Sequence, residues 1–343
     1  MKGTKNFRWI CPDVVHRIFT YQKSQQQIYI CPRALRTLML SEKLKSVLLG
    51  GKDPFTEIIG QGRVKLELKS ALLSERNIIL IGPPGIGKTT LAKNIAKLDP
   101  GLKGFVRIQG SPDLTVEDIL GDIDPVKALQ HGPLSLEAFQ KGKIFKAHNG
   151  ILFFDELNRC PEKLQNALLQ VLEERKATIG AYTVDFDVDF IFIGTMNPED
   201  SSTEKLSDVL IDRFDVITMS YPDSEADEKQ ITLAKGKKMA EVSAKLLTLM
   251  VRFVRNLRAG DDLEKKPSVR ASLGLYERSQ ANALLAGHKT VVAEDVKAVV
   301  ISVLAHRIRL KPSLRYIESP AEYIQKKFSL FDLESVEDSK EGG

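Results

Sequence analysis

The stretch Ile78-Ile79-Leu80-Ile81-Gly82-Pro83-Pro84-Gly85-Ile86-Gly87-Lys88-Thr89-Thr90 constrains this chain more than any other. An apolar strand runs into a glycine-rich turn, and a helix follows from Lys88. Gly82, Gly87, Lys88 and Thr89 fit the phosphate-loop pattern G-x-x-x-x-G-K-[ST]. Glycine accepts backbone angles that side chains forbid, so N–H groups can turn inward around an anion. The helix adds its N-terminal dipole and unpaired N–H groups. Lys88 then meets the outer phosphates, and the Thr89 hydroxyl is offered to Mg²⁺.

The 343 residues suffice for about two domains. The hydrophobic share of 43% and charged share of 28% are those of an ordinary globular protein. No apolar run approaches the ~20 residues of a membrane helix, and Met1 to Lys5 leads into no apolar signal core. Three cysteines, Cys11, Cys31 and Cys160, cannot make a full disulfide set, so reduced thiols in a cytoplasmic protein are expected. With His16, Cys11 and Cys31 form only a partial metal set, and buried thiols are the expectation. A net charge of +5 permits an anionic partner without arguing for one.

Residues 1–50 read as an extension of unknown role, with a helix over Trp9 to Phe19, a strand at Ile28 to Cys31 and a helix over Leu35 to Leu49. Gly50 to Pro54 marks a boundary. Helices follow from about Val64 to Leu73 and from Lys88 to Leu98, then a strand at Phe105 to Gln109. An insertion spans about 114–149, punctuated by Gly121, Pro125, Gly132, Pro133 and Gly142. Gly150 to Glu156 reads as a strand whose apolar residues run without alternation, as in a parallel strand buried on both faces. Pro161 to Glu174 is an amphipathic helix. Lys176 to Asp189 reads as a hairpin with Gly180-Ala181 at its tip, Asp185, Asp187 and Asp189 facing one side and Phe186, Val188 and Phe190 the other. Ile191 to Thr195 and Val216 to Met219 complete the strands. Beyond Tyr221-Pro222 only helices are expected, over 223–311, the first capped by Asp223 or Ser224. Residues 312–343 read as a tail with a frayed, acidic end.

A phosphate loop needs a carboxylate for its metal, and Phe153-Phe154-Asp155-Glu156 supplies one: Asp155 for Mg²⁺, Glu156 to polarise the attacking water. Gly194-Thr195-Met196-Asn197-Pro198 ends another strand, where the Asn197 amide can touch a γ-phosphate or orient the water.

Together with Leu210-Ile211-Asp212-Arg213-Phe214 and Pro267-Ser268-Val269-Arg270-Ala271, these segments resemble an AAA+ ATPase. Glu156-Leu157-Asn158-Arg159-Cys160-Pro161, the helix from Leu164 to Arg175 and Thr178-Ile179-Gly180 narrow the resemblance to the MoxR family and its relative, the ATPase subunit of magnesium chelatase. It covers about residues 55–310. The resemblance implies a three-layer αβα phosphate-loop core with a parallel sheet over 51–222, then a small helical lid. It implies ATP on Gly82, Pro83, Pro84, Gly85, Ile86, Gly87, Lys88, Thr89 and Thr90, with Thr89 and Asp155 on Mg²⁺. Glu156 and Asn197 (sensor 1) would be catalytic, Arg270 would be sensor 2, and Arg213 the finger offered to a neighbouring subunit, with Arg159 and Arg175 as rivals. An arginine suits these places because its planar fork pairs phosphate oxygens and keeps its charge. Residues 114–149 would be the helix-2 insert and 176–189 the pre-sensor hairpin. A homo-hexamer, a protein client, chaperone-like metal or cofactor insertion and a partner with a von Willebrand factor A-type domain follow from the same resemblance. The loop Glu199-Asp200-Ser201-Ser202-Thr203 departs from the family's glycine-rich form, a departure that bears on partner specificity. Two alternatives stand beside this reading. One is a nucleic-acid motor, opposed by the hairpin aspartates and favoured by Lys141, Lys143 and Lys146. The other is a nucleotide-switched binding module, opposed by Glu156 and Asn197.

Overall fold

A computed structural model describes residues 42–337 except 103, 133–134, 179–184 and 199–205. The helix over 9–19, the strand at 28–31, Cys11, Cys31, His16, the hairpin tip, the loop 199–203 and the last residues of the tail lie outside the described residues.

Helix α1 (Glu42–Leu49) and helix α2 (Gly62–Leu73) precede strand β1 (Asn77–Ile81). Helix α3 (Lys88–Leu98) begins at the residue the phosphate-loop pattern predicts, and strand β2 (Phe105–Gln109) follows. The insert holds α4 (Val116–Leu120), β3 (Gly121–Ile123), α5 (Pro125–His131), β4 (Phe139–Lys141) and α6 (Lys143–Lys146). Thr115 and Asp118 cap α4 reciprocally, and β3 pairs antiparallel with β4. Then come β5 (Gly150–Asp155), α7 (Glu162–Glu174), the hairpin strands β6 (Lys176–Thr178) and β7 (Asp185–Asp187), β8 (Phe190–Met196), α8 (Asp208–Ile211) and β9 (Phe214–Thr218).

The main sheet has five strands in the order β2-β5-β8-β1-β9, every pair parallel. Successive residues of a strand face opposite sides. Ile78, Leu80, Ile151, Phe153 and Ile193 pack on one side against α1, α2 and α3. Ile79, Leu152, Phe154 and Phe192 pack on the other against α4, α6 and α7. All six residues of β5 are buried, which accounts for its unbroken apolar run.

Leu44 and Leu48 of α1 are 0% and 3% exposed and share a core with Phe55, Leu68 and Ile78. The boundary read at Gly50 therefore cuts through packed structure: 42–49 belong to the core, not to a separate extension. The glycines there turn the chain between two packed helices.

In the hairpin, Lys176 pairs with Asp187 and Ala177 with Phe186. Phe186 packs on Phe139 and Phe145, joining hairpin to insert through three rings. Val188 and Phe190 are buried and Asp187 is exposed, as the alternation predicts. Asp189 departs from it, because its carboxylate lies 3.3 Å from Arg175 and is only 30% exposed.

The lid comprises α9 (Glu225–Lys235), α10 (Ala244–Ala259), β10 (Leu263–Lys265), α11 (Val269–Leu285), α12 (Ala293–Leu304), β11 (Arg309–Leu310), α13 (Pro312–Arg315) and α14 (Pro320–Glu337). It is therefore not helices only: β10 and β11 pair antiparallel, too short for alternation to show in the sequence. Ser224 caps α9 by accepting from the Asp227 N–H. Tyr323, Ile324 and Phe328 of α14 are buried in the lid core, with Phe328 edge-on to Phe253. Residues 320–328 are thus lid, not tail. Their apolar spacing builds a packed helix, and only the sequence after it turns acidic.

Candidate functional site

Strand register sets the site. Ile81 lies beside Met196 and Thr218, Phe154 beside Gly194, and Gln109 beside Asp155. The C-terminal ends of β1, β2, β5 and β8 therefore meet at one edge of the sheet, where parallel folds bind ligands. A cavity of about 470 Å³ opens there.

Pro84, Gly85, Ile86, Gly87, Lys88, Thr89 and Thr90 line this cavity, as do Asp155, Glu156, Asn197 and Arg270. Gly82 and Pro83 lie outside the lining, and their carbonyls accept hydrogen bonds from Lys88 Nζ at 2.5 and 2.9 Å. Gly85 has φ +79°, and a Cβ there would lie 2.9 Å from Ser268 Oγ and 3.0 Å from Arg270 Cγ. The lid thus presses its arginine against the phosphate loop at a point only glycine fits.

Asp155 ends β5 and is 9% exposed. Its Oδ1 accepts from the Thr195 hydroxyl at 2.6 Å, and its Oδ2 accepts from Arg107 Nη2 at 2.6 Å. The next residue, Glu156, has φ +56°, a conformation side chains rarely adopt. It is fixed from both sides: its N–H donates to Thr195 Oγ1 at 2.9 Å, and its carbonyl accepts from Arg159 N at 2.9 Å. Strain of this kind is stored at functional turns. Gly110 approaches so closely that a Cβ there would lie 2.1 Å from the Glu156 carbonyl oxygen.

The Glu156 carboxylate accepts from Gln109 Nε2 at 2.8 Å and pairs with Arg159 Nη1 at 3.1 Å. Arg107 Nη2 also donates to Gln109 Oε1 at 3.1 Å. Arg107, Gln109 and Thr195 line the cavity too; the first two lie in no motif, and Thr195 enters the motif reading only as part of the segment that carries Asn197, without a role. The visible signal was the polar alternation Arg107-x-Gln109 at the end of a strand. Thr195, fully buried, is the hub between Asp155 and Glu156.

Thr89 and Asp155 carry the hard oxygen donors that a small divalent cation takes. Asp155 already holds a positive group, the Arg107 guanidinium, so the donor set fits Mg²⁺.

Arg213 does not line the cavity. It stands immediately before β9, at the end of that strand away from the site, bonded to Glu173 and to the Val209 carbonyl. Arg175 donates to the Phe190 carbonyl at 2.7 Å and stacks over the Phe190 ring. Arg159 is committed to Glu156. Cys160 is a buried free thiol whose pKa burial pushes up to about 11, which makes it inert.

A parallel phosphate-loop sheet with a helical lid closing on the loop is the architecture of an AAA+ ATPase. Residues 77–214 match the AAA domain of the dynein-related subfamily, and residues 257–326 match the AAA lid domain. Chaperone MoxR1 of Mycobacterium tuberculosis is 30% identical over 285 residues, covering 74% of this chain and 73% of that protein. The uncharacterized protein YeaC of Bacillus subtilis is 28% identical, covering 79% and 89% respectively. The magnesium-chelatase subunit ChlI of Mesostigma viride is 25% identical, covering 82% and 94%. The chain belongs to the MoxR family of AAA+ ATPases. Among the described residues no helix is long and apolar enough to cross a membrane.

Proposed function

We propose that the protein is a Mg²⁺-dependent ATPase that works as a ring, a hexamer in this reading, and remodels a protein client. The observation that carries this reading is a single cavity lined by Lys88, Thr89, Asp155, Glu156, Asn197 and Arg270. Thr89 and Asp155 would hold the metal, which would supply positive charge against the phosphates. Lys88 turns from the loop carbonyls to the outer phosphates. Glu156, freed from Gln109 and Arg159, takes the proton of the attacking water, and Asn197 orients that water. Arg270 reaches the γ-phosphate from the lid, so hydrolysis and lid position are coupled.

Arg213 completes a neighbour's site. Its place beyond the far end of β9, on Glu173 and the Val209 carbonyl, keeps it from its own nucleotide, whereas Arg159 pairs with Glu156 inside its own site. The relatives named as a chaperone and as a magnesium-chelatase subunit favour a protein client and metal or cofactor insertion; a partner with a von Willebrand factor A-type domain follows from the family resemblance alone. A nucleic-acid motor is the competing reading, favoured by Lys141, Lys143 and Lys146, all exposed on the insert. The exposed carboxylate of Asp187 on the hairpin opposes it.

Mixing two inactive variants tests the shared site. Arg213→Ala keeps its own phosphate loop and Lys88→Ala keeps its finger, so mixed rings regain phosphate release. No recovery at any ratio would rule out a finger at Arg213 serving a neighbour. Binding of the full chain to single- or double-stranded DNA at low salt would favour the motor instead.

A further inference from the structure

We propose that Arg107 is a latch that couples arrival of the metal at Asp155 to release of Glu156 from Gln109. The inference rests on the nucleotide-site reading above and deepens it.

Residues 107 and 109 project from the same face of β2, because strand side chains alternate. Arg107 Nη2 bonds Asp155 Oδ2 at 2.6 Å and Gln109 Oε1 at 3.1 Å. Gln109 Nε2 bonds Glu156 Oε2 at 2.8 Å. The metal-binding carboxylate and the water-activating carboxylate are thus joined by a relay of two side chains.

The chemistry of the relay gives it direction. A guanidinium only donates, so it forces the Gln109 amide to present its oxygen. The NH₂ group must then face Glu156, where it grips the carboxylate. A flipped amide would set NH₂ against the guanidinium and oxygen against the carboxylate. Arg107 therefore orients the hand that holds Glu156.

Arg107 and a divalent cation compete for Asp155 Oδ2, since two positive groups repel at such range. When the guanidinium leaves, Gln109 loses the donor that fixed it, and its hold on Glu156 loosens. The Gln109 hold on Glu156 is lifted only once the metal is in place; the pair with Arg159 at 3.1 Å is a separate hold that the latch leaves untouched. Arg107 is half exposed, at 47%, so it has room to turn away. It is a positioning residue, acting on Glu156 through Gln109.

The test uses the full chain saturated with a non-hydrolysable ATP analogue and titrated with Mn²⁺, followed by electron paramagnetic resonance. Arg107→Ala removes the competitor and should tighten Mn²⁺ about tenfold, a change of ~1.4 kcal/mol. Arg107→Lys keeps the charge and should stay near wild type. Arg107→Gln replaces the alanine variant if that one misfolds. In parallel, the Gln109 side-chain amide is followed by ¹⁵N NMR. Its resonance should shift on adding Mg²⁺ to the wild type and not in Arg107→Ala. Unchanged Mn²⁺ affinity in Arg107→Ala, or a Gln109 signal indifferent to metal in the wild type, overturns the latch alone. Weaker Mn²⁺ binding would make Arg107 part of the phosphate site and overturn it too. Failure of the wild type to bind Mn²⁺ with nucleotide would overturn the nucleotide-site reading itself.

Discussion

Gly85 and Arg270 are in contact across the boundary between core and lid: a Cβ on Gly85 would lie 3.0 Å from Arg270 Cγ. One residue belongs to the phosphate loop and the other to the first turn of α11. The lid therefore places Arg270 and Ser268 directly against the loop. Arg270→Ala should still bind ATP but turn it over roughly 100-fold more slowly, the scale of losing a donor aimed at developing charge. Gly85→Ala should weaken binding itself, since φ +79° strains any side chain there and the methyl displaces Arg270. Fluorescent-nucleotide binding and phosphate release, measured on both variants, separate the two effects. Equal losses of binding would mean that Arg270 is only a packing residue.

The core leucines of α1 give the second expectation. Leu44, fully buried, should cost about 2–5 kcal/mol when replaced by alanine, and its loss should appear as a lower urea midpoint. Deleting residues 1–41 leaves these contacts intact, while deleting 1–50 removes them. The shorter deletion should bind ATP normally and the longer one should be unstable. Equal stability of the two would place α1 outside the core.

Glu228 joins three lid helices. It is fully buried, bonded to Arg258 at 2.8 and 3.0 Å and to Ser272 at 2.6 Å, while Arg258 also donates to the Pro267 carbonyl at 2.9 Å. Pro267 and Ser272 flank Arg270, so this cluster sets where the lid arginine starts. Burial pushes the Glu228 pKa up, but the bonds and charge of Arg258, with Ser272 and Arg255, outweigh it and hold the pKa below its ordinary 4.5. A carboxylate lowered in this way contributes stability that is complete above its unfolded pKa and is lost as pH falls through the folded one. Glu228→Gln should thus destabilise by about 3–5 kcal/mol at pH 7, because it leaves Arg258 without its charge partner. The gap to wild type should narrow below pH 4.5, where the wild type loses the same contribution. Melting temperatures of both proteins across that range decide it, and a gap independent of pH would contradict the ion-pair account.

What was legible in the sequence follows from how local the signals are. Helix α3 begins at Lys88 as read, because the phosphate loop fixes strand, turn and helix within one short motif. Strand β5 was legible because burial on both faces leaves an unbroken apolar run ending in Asp155. Arg107, Gln109 and Thr195 were not, because their roles exist only once β2, β5 and β8 lie side by side. A strand sequence does not say which neighbour it will have. The two strands of the insert are three residues each, too short for alternation to show. Helix α14 carried a readable pattern at Tyr323, Ile324 and Phe328, but the acidic end beyond it drew the segment toward a tail.

Lys88, Asp155 and Glu156 are read as acting together on one triphosphate. Single-turnover phosphate release with saturating ATP and Mg²⁺, run on wild type and Glu156→Gln beside a nucleotide-binding measurement, tests it most directly. Glu156→Gln should bind ATP as tightly as wild type, retain it, and release phosphate at least about 100-fold more slowly. Equal phosphate release by both proteins, or a wild type that binds ATP and never cleaves it in any oligomeric state, would mean that the three side chains do not share a hydrolytic site.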